Sequence, residues 1–373
     1  MAKWIGRNDA LTRLGVRAQT LYAYVSRGRI GVQPDPADPR RSLYNVDDIE
    51  ALASRRRRGR SAQAIAASAF AWGEAAIPTR ISTIAHGRLI YRGHDAAALA
   101  DTASLETTAA LLWDAGGSVA FSMPSKAPAG AYAALAALAD GAPATIGRST
   151  DAQYRDGAIG VGHLAAGFGL AAADAPLHKL LALTWSQDDA GAALLRRALV
   201  LMADHELNAS TFAVRVAAST GAPIAACLLA GLATLSGPRH GGAGAALGML
   251  IEGAERYGVE AALAQWLGLG VPVPGFGHSL YPDGDVRAHV LLEHLPPDSL
   301  LNALAKAVGE ATGALPNIDF ALAALQRHLA LPSDAPFVLF ALGRSVGWVA
   351  HAVEQAGSGT LIRPRARYEG LTS

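Results

Sequence analysis

Gly237-Pro238-Arg239-His240-Gly241-Gly242 and Gly275-Phe276-Gly277-His278 are the stretches that decide how this chain is read. Each sets one histidine among glycines. Glycine tolerates positive φ and lets a ligand come close to the backbone. A histidine displayed on such a turn can reach a bound molecule, whereas a histidine in mid-helix usually fills a structural position. The two histidines stand 38 residues apart, and Pro316-Asn317-Ile318-Asp319 follows them. Together they predict one polar site in an otherwise apolar protein.

The totals agree with that picture. Of 373 residues, 51% are hydrophobic, 17% charged and 6% aromatic. A chain of this length suits two or three well-buried domains. Alanine and leucine dominate, and both lose little freedom in helices, so a mainly α protein is expected. The single cysteine, Cys227, sits in an apolar run and reads as a buried, inert thiol. It offers no disulfide and no metal cluster. The most apolar stretch, 222–235, contains Pro223 and is too short to span a bilayer. No apolar signal core opens the chain, so a cytoplasmic location is expected.

Charge is unevenly spread. Residues 1–60 hold 13 Lys and Arg against six Asp and Glu, a net +7, which leaves −6 on the remainder. Such a division suggests two parts with different partners. In the basic part, Asp9 can cap a short helix carrying Leu11 and Leu14, and Gly15-Val16 makes a turn. Residues 17–26 read as a second helix with Leu21 and Val25 on its inner face, closed by Gly28. A Pro/Asp-rich loop over 33–39 leads to a short strand, Ser42-Leu43-Tyr44. Asn45 or Asp47 then starts a helix over 48–55.

This arrangement is similar to the winged helix-turn-helix heads of the MerR and excisionase type. It implies DNA contacts from Arg17, Gln19, Thr20, Tyr22 and Arg27 on the second helix, with Arg40 and Arg41 on the wing. Arginine and hydroxyl groups suit phosphates, and glutamine and arginine can read base edges. A small protein-interaction module with a solvated basic face is the plain alternative. The run Arg55-Arg56-Arg57-Arg58 reads as a solvated linker.

From residue 77 the pattern changes. β-branched residues over 81–91 predict a short hairpin, and helix-period segments separated by Gly/Pro breaks follow from Leu105. There is no βαβ rhythm. Gly167-Phe168-Gly169 matches a loose dinucleotide pattern but has no strand before it, so close helix packing is the better reading. His205, in Asp204-His205-Glu206-Leu207-Asn208, would alone read as structural. Arg344 lies inside the apolar run 337–353, where an unpaired charge is expensive.

With these residues in place, the body resembles the citrate synthase family. The matching stretches are 81–99, 204–220, 236–246, 273–288, 315–320 and 340–364, in the family's order. Residues 116–155 do not align with it. The resemblance implies a two-domain helical fold behind the winged head. Residues 1–60 would be the helix-turn-helix and 61–72 a linker. Residues 73–373 would be the synthase-like body, with a large domain over about 73–240 and 331–373 and a small one over about 241–330. It also implies a homodimer with no permanently bound cofactor and a coenzyme A thioester as substrate.

Carried over residue by residue, His240 would polarise the thioester carbonyl of acetyl-CoA and Asp319 would take the methyl proton. His278 would hydrogen-bond the oxaloacetate carbonyl. His205, Arg287 and Arg344 would hold carboxylates, and Arg363 would reach the other subunit. The chemistry asks for these types independently. An enolate needs a donor aimed at its oxygen, a carbon acid needs a carboxylate in a dry pocket, and a dicarboxylate suits guanidinium forks.

The chain departs from the family where coenzyme A is held. Ser279 and Pro282 replace basic residues, Arg239 replaces an apolar one, Val286 a proline, and Gly244 an asparagine. Citrate synthesis is therefore weighed against 2-methylcitrate synthesis from propionyl-CoA and against a metabolite-sensing regulator with a synthase-derived body. A non-catalytic partner subunit is the remaining reading.

Overall fold

The computed structural model describes residues 4–16, 20–21, 24–25, 30–36, 38–58, 76–366 and 370, with the side chains of 39–40 and 53–58 left aside. It forms two compact units. One is Met1–Pro78 with Arg363–Ser373, and the other is Thr79–Ile362.

In the first unit, β1 (Trp4–Ile5), α1 (Arg7–Leu14), β2 (Val32–Asp35), β3 (Asp38–Asn45) and α2 (Val46–Arg58) surround a small core. The antiparallel sheet runs β1-β3-β2. Ala10, Leu14, Leu21, Ile30, Tyr44 and Ile49 are buried together. Asp9 does not cap α1. Gly6 holds that position, and Asp9 lies in the first turn, where its charge still suits the helix N-terminus. Asn45 does start α2, since its side-chain oxygen accepts from the Asp47 and Asp48 amides.

The stretch expected as a loop over 33–39 is largely strand. β2 pairs with β3, and Pro34 is tolerated because it lies on an edge strand next to a register shift. Thr20, Leu21, Tyr24 and Val25 are helical, and Leu21 and Val25 join the core. Arg17, Gln19, Tyr22 and Arg27 fall outside the described residues, as does the side chain of Arg40. Thr20 is half-buried, and Arg41 is exposed beside Asp38 at 3.3 Å.

The second unit opens with an antiparallel ribbon of β4 (Ser82–Ala85), β5 (Arg88–Tyr91) and β6 (His94–Asp95). Helices follow. They are α3 (Ala96–Thr102), α4 (Leu105–Leu112), α5 (Ala131–Ala139), α6 (Thr150–Gly167), α7 (Leu177–Thr184) and α8 (Asp189–Met202). After them come α9 (Ala209–Ser219), α10 (Ile224–Leu235), α11 (Gly244–Tyr257) and α12 (Val259–Gly268). The last are α13 (Val286–Leu292), α14 (Ser299–Thr312), α15 (Ile318–His328) and α16 (Ala335–Ser358).

The larger core wraps α16, which packs on α6, α8, α9 and α10. Pro336 fits the first turn of α16, where its missing N–H costs nothing. α16 is 24 residues long, and an 18-residue stretch of it has mean hydropathy 1.3, enough by length and composition to cross a bilayer, yet 89% of that stretch is buried within the protein. It is apolar because it is enclosed on all sides by other helices. Gly347 lets it come close to the 203–206 turn, since a Cβ there would strike the Ala203 carbonyl and the Asp204 carboxylate.

A second core gathers Leu247, Leu250, Leu304 and Val308 from α11 and α14. α15 belongs to both. Ala321, Leu322 and Leu325 face the larger core, while Phe320, Ala323 and Ala324 face the smaller. Gly167 packs as the sequence suggested, with no room for a Cβ against Ala131 of α5. Cys227 is buried and unpaired, and burial pushes its thiol up to about 12.

Candidate active site

Three turns of the second unit, the starts of α13 and α15 and the middle of α16 bring six of the seven carried-over residues into one connected set. The first turn, 203–208, joins α8 to α9. It presents His205, which is 5% exposed, with Nε2 3.1 Å from the Tyr281 hydroxyl. Asn208 caps α9 by accepting from the Thr211 amide.

The second turn follows α10. His240 opens a short 3-10 segment, Gly241–Ala243, and its Nε2 lies 2.9 Å from Ser210 Oγ and 3.2 Å from Asn208 Oδ1. The Ser210 hydroxyl donates its one hydrogen to Asn208 Oδ1 at 2.7 Å. Turned onto Nε2 instead, that hydrogen leaves the neutral imidazole its own proton on Nδ1.

The third turn carries His278. Gly275 and Gly277 both have positive φ there, +81° and +75°. The loop is tied to the start of α15. Gly277 donates to Leu315 O, Asn317 donates to Gly275 O, and the Asn317 side chain donates to Gly277 O at 3.1 Å. The Leu280 amide donates to His278 Nδ1 at 3.2 Å. A neutral His278 accepting at Nδ1 must carry its proton on Nε2, which makes that atom a donor. The His278 ring stands edge-on to His205 at 5.1 Å and 5.0 Å from Tyr281.

Asp285 links this turn to the acid. Both its oxygens bind Arg287, at 2.9 and 2.7 Å, and Oδ2 also accepts from the Ile318 amide. Asp319 is the next residue. Its own amide is held by Asn317, and among the described residues its carboxyl makes no hydrogen bond. Arg344 comes from α16. Its Nε donates to Met202 O at 2.9 Å, its guanidinium lies 5.0 Å from the Phe340 ring, and its buried Nη2 has no partner. Phe340 in turn meets the His240 ring edge-on at 5.7 Å.

Electrostatics sort these groups by role. Burial, with Arg344 and Arg287 nearby, lowers His240 to about 4. Burial and Arg287 lower His278 to about 4 as well. Burial and the same two arginines put His205 well below its ordinary value. All three imidazoles are therefore neutral at neutral pH. Burial opposes the charge on Asp285, but Arg287 outweighs it and holds that carboxyl below the usual range. Asp319 goes the other way. Burial pushes it up to about 6, against the pull of Arg287. Burial lowers Arg344 to about 10, which leaves it cationic.

The set offers two neutral imidazoles able to donate, one half-buried carboxyl of raised pKa, and one buried guanidinium whose Nη2 has no partner. Beside His278 and Tyr281 lies a cavity of about 200 Å³, lined also by Pro282, Asp285 and Pro316. Among the described residues no group of acidic, histidine or cysteine side chains is arranged to hold a metal. Arg363 is exposed and falls in the first unit. Sequence reasoning did not single out Tyr281, Ser210, Asn208 or Phe340. Only Asn208 had a local signal, as a cap before Ala209-Ser210-Thr211.

A family model for the C-terminal domain of citrate synthase matches residues 163–365, more than half of the chain. The chain belongs to the citrate synthase family. A citrate synthase of Haloferax volcanii is 37% identical over 187 residues, covering 46% of this chain and 49% of that one. One from Corynebacterium glutamicum is 38% identical over 203 residues, 48% of this chain and 46% of its own. The chain thus spans about half the length of these curated citrate synthases.

Solved structures of the family reach further. Citrate synthase from Thermotoga maritima superposes with a TM-score of 0.66 at 25% identity, over 81% of this chain and 95% of that one. Citrate synthase from Thermoplasma acidophilum, solved as a ternary complex with carboxymethyl coenzyme A and oxaloacetate, gives 0.64 at 25% identity, over 80% and 94%.

Proposed function

We propose that this chain condenses acetyl-CoA with oxaloacetate to give citrate and coenzyme A. Asp319 takes a methyl proton while His240 hydrogen-bonds the thioester oxygen, so the enol forms with its charge neutralised. The nucleophilic carbon attacks the oxaloacetate ketone, whose oxygen is polarised by His278 Nε2–H and takes up a proton. Water then cleaves the thioester and releases the thiol. His205, Arg287 and Arg344 hold the keto acid. Propionyl-CoA in the same place would give 2-methylcitrate.

The observation that carries this reading is Asp319. It is a carboxyl without a hydrogen bond among the described residues, raised to about 6, in the same cluster as two neutral imidazoles and an arginine whose Nη2 has no partner. Release of free thiol from acetyl-CoA or propionyl-CoA, dependent on oxaloacetate, tests it. No release with either thioester at saturating concentration overturns it.

The pH dependence is specific. The base must be ionised, and its raised pKa moves the acid limb upward. We expect kcat/KM to fall about tenfold per pH unit below about 6. The histidines add to the loss only near 4. A limb near the ordinary aspartate value of about 3.9 would rule out Asp319 as the base.

We also propose a cytoplasmic homodimer in which Arg363 serves the neighbouring chain and the paired heads bind DNA. Support comes from the hairpin β2–β3 with exposed Arg41 and from the +7 balance of residues 1–60. The protein should be retained on duplex DNA and lose affinity steeply between 50 and 200 mM salt, by roughly 10³-fold if several phosphates are contacted. Flat salt dependence, or a single-chain mass in sedimentation, would overturn this part. Recovery in a membrane or secreted fraction would refute the cytoplasmic placement.

A further inference from the structure

We propose that Ser82 is a positioning residue for His205, acting by clamping both of its chain neighbours. The inference deepens the proposed function, since it rests on His205 holding the keto acid. Ser82 is 8% exposed and sits on β4, more than a hundred residues before the turn it serves. Its hydroxyl donates to the Asp204 carboxylate and accepts from the Glu206 amide at 3.1 Å. One oxygen thus ties the residue before His205 to the residue after it.

The turn needs holding. Glu206 has φ of +51°, a left-handed conformation disfavoured for a residue with a Cβ. β4 supplies further ties on that side. The Ile84 amide donates to the Glu206 carboxylate at 2.7 Å, and Thr83 Oγ1 lies 3.3 Å from the same oxygen. On the other side, the Tyr91 hydroxyl accepts from the Asp204 amide at 3.2 Å and lies 3.1 Å from the Asp204 carbonyl, and the Gly347 amide donates to Ala203 O at 3.1 Å.

Behind Asp204 stands His351, fully buried. Arg215 Nε donates to its Nδ1 at 2.9 Å, so its proton is on Nε2, which faces Asp204 at 3.3 Å. Asp204 is thereby fixed from behind, and Ser82 carries that fixation across to Glu206. His205 lies between the two clamped residues, and its Nε2 is 3.1 Å from the Tyr281 hydroxyl.

The test is a split between the two substrates. In Ser82→Ala, KM for oxaloacetate should rise about tenfold, the worth of one hydrogen bond to a charged group, with KM for acetyl-CoA within about twofold. Ser82→Thr, which restores the hydroxyl, should return the oxaloacetate value to within about threefold. Where the alanine variant does not fold, Ser82→Cys replaces it and should raise the oxaloacetate KM by a smaller but clear factor. An unchanged oxaloacetate KM, equal rises in both KM values, or no rescue by threonine would overturn the clamp.

Calorimetric affinity for oxaloacetate keeps the two readings apart. A wild-type protein that binds oxaloacetate without releasing thiol overturns the proposed reaction alone, and the clamp is then read from the affinities of the same variants. A wild-type protein that does not bind oxaloacetate overturns both.

Discussion

Asp319→Ala is expected to lower kcat about 10³-fold while leaving oxaloacetate affinity within about twofold, a loss in the middle of the range for a general base. Four influences act on this carboxyl. Its place in the first turn of α15 and the charge of Arg287 favour the anion, yet burial, helped by the negative charge of Asp285, outweighs both and lifts it to about 6. A base of ordinary acidity would be too weak to draw a proton from a thioester methyl at neutral pH, and one much more basic would be protonated there. The value near 6 lies between.

The same shift supplies a folding control. The folded pKa lies above the unfolded one, so the group favours folding at low pH, and that contribution is lost as pH rises through about 6. At pH 8 the ionised carboxyl opposes folding, and Asp319→Asn should unfold no earlier than the parent. Turnover of Asp319→Ala within tenfold of the parent would remove Asp319 from the reaction. Intact oxaloacetate binding with no turnover in the parent itself would favour the sensor reading.

Arg344→Met is the second large effect, and its two readouts should move differently. Arg344 is 1% exposed, and its Nη2 meets no acceptor among the described residues. A buried charge with an empty donor is held at a cost, and an apolar side chain of similar length is often neutral or stabilising in such a place. The methionine variant should therefore melt at the parent temperature or above it. Its affinity for oxaloacetate should fall about 10²- to 10³-fold, the usual consequence of deleting one member of a desolvated charge pair. Arg344→Lys should recover only part of this, because an ammonium cannot reproduce the planar fork. Unchanged affinity, or a fall in melting temperature that tracks the fall in affinity, would show that the arginine serves the fold.

Much of the site was legible in the sequence, for identifiable reasons. His240 and His278 stand among glycines, Asp319 follows a Pro-Asn start signal, and Arg344 is a charge in an apolar run. These are local patterns, and local chemistry produces them. The helical body was legible for the same reason, since alanine- and leucine-rich segments broken by Gly and Pro have few other folds open to them.

What stayed hidden was long-range or two-sided. Nothing near Ser82 announces a bond to Asp204, because the partners are far apart in the chain and meet only where β4 lies against the 203–208 turn. Asp285 reads as a residue before an arginine, and its second bond, to the Ile318 amide, appears only once α13 and α15 are adjacent. The strand through Pro34 was missed because a proline-rich run looks like a loop until an edge strand is available to hold it. The centre of α16 was legible as the apolar run 337–353, but its full length to Ser358 and its burial depend on neighbours from across the chain.

The Leu280 amide that holds His278 Nδ1 has a consequence for how this loop can evolve. The group fixing the imidazole tautomer belongs to the main chain, so no side-chain replacement can delete it, except proline, which has no N–H. Positions 279 and 280 are thus free to drift in size, charge and polarity while the proton stays where it is. A polar Ser279 beside that amide is the kind of residue such an arrangement accommodates, because the proton on Nε2 of His278 does not depend on it.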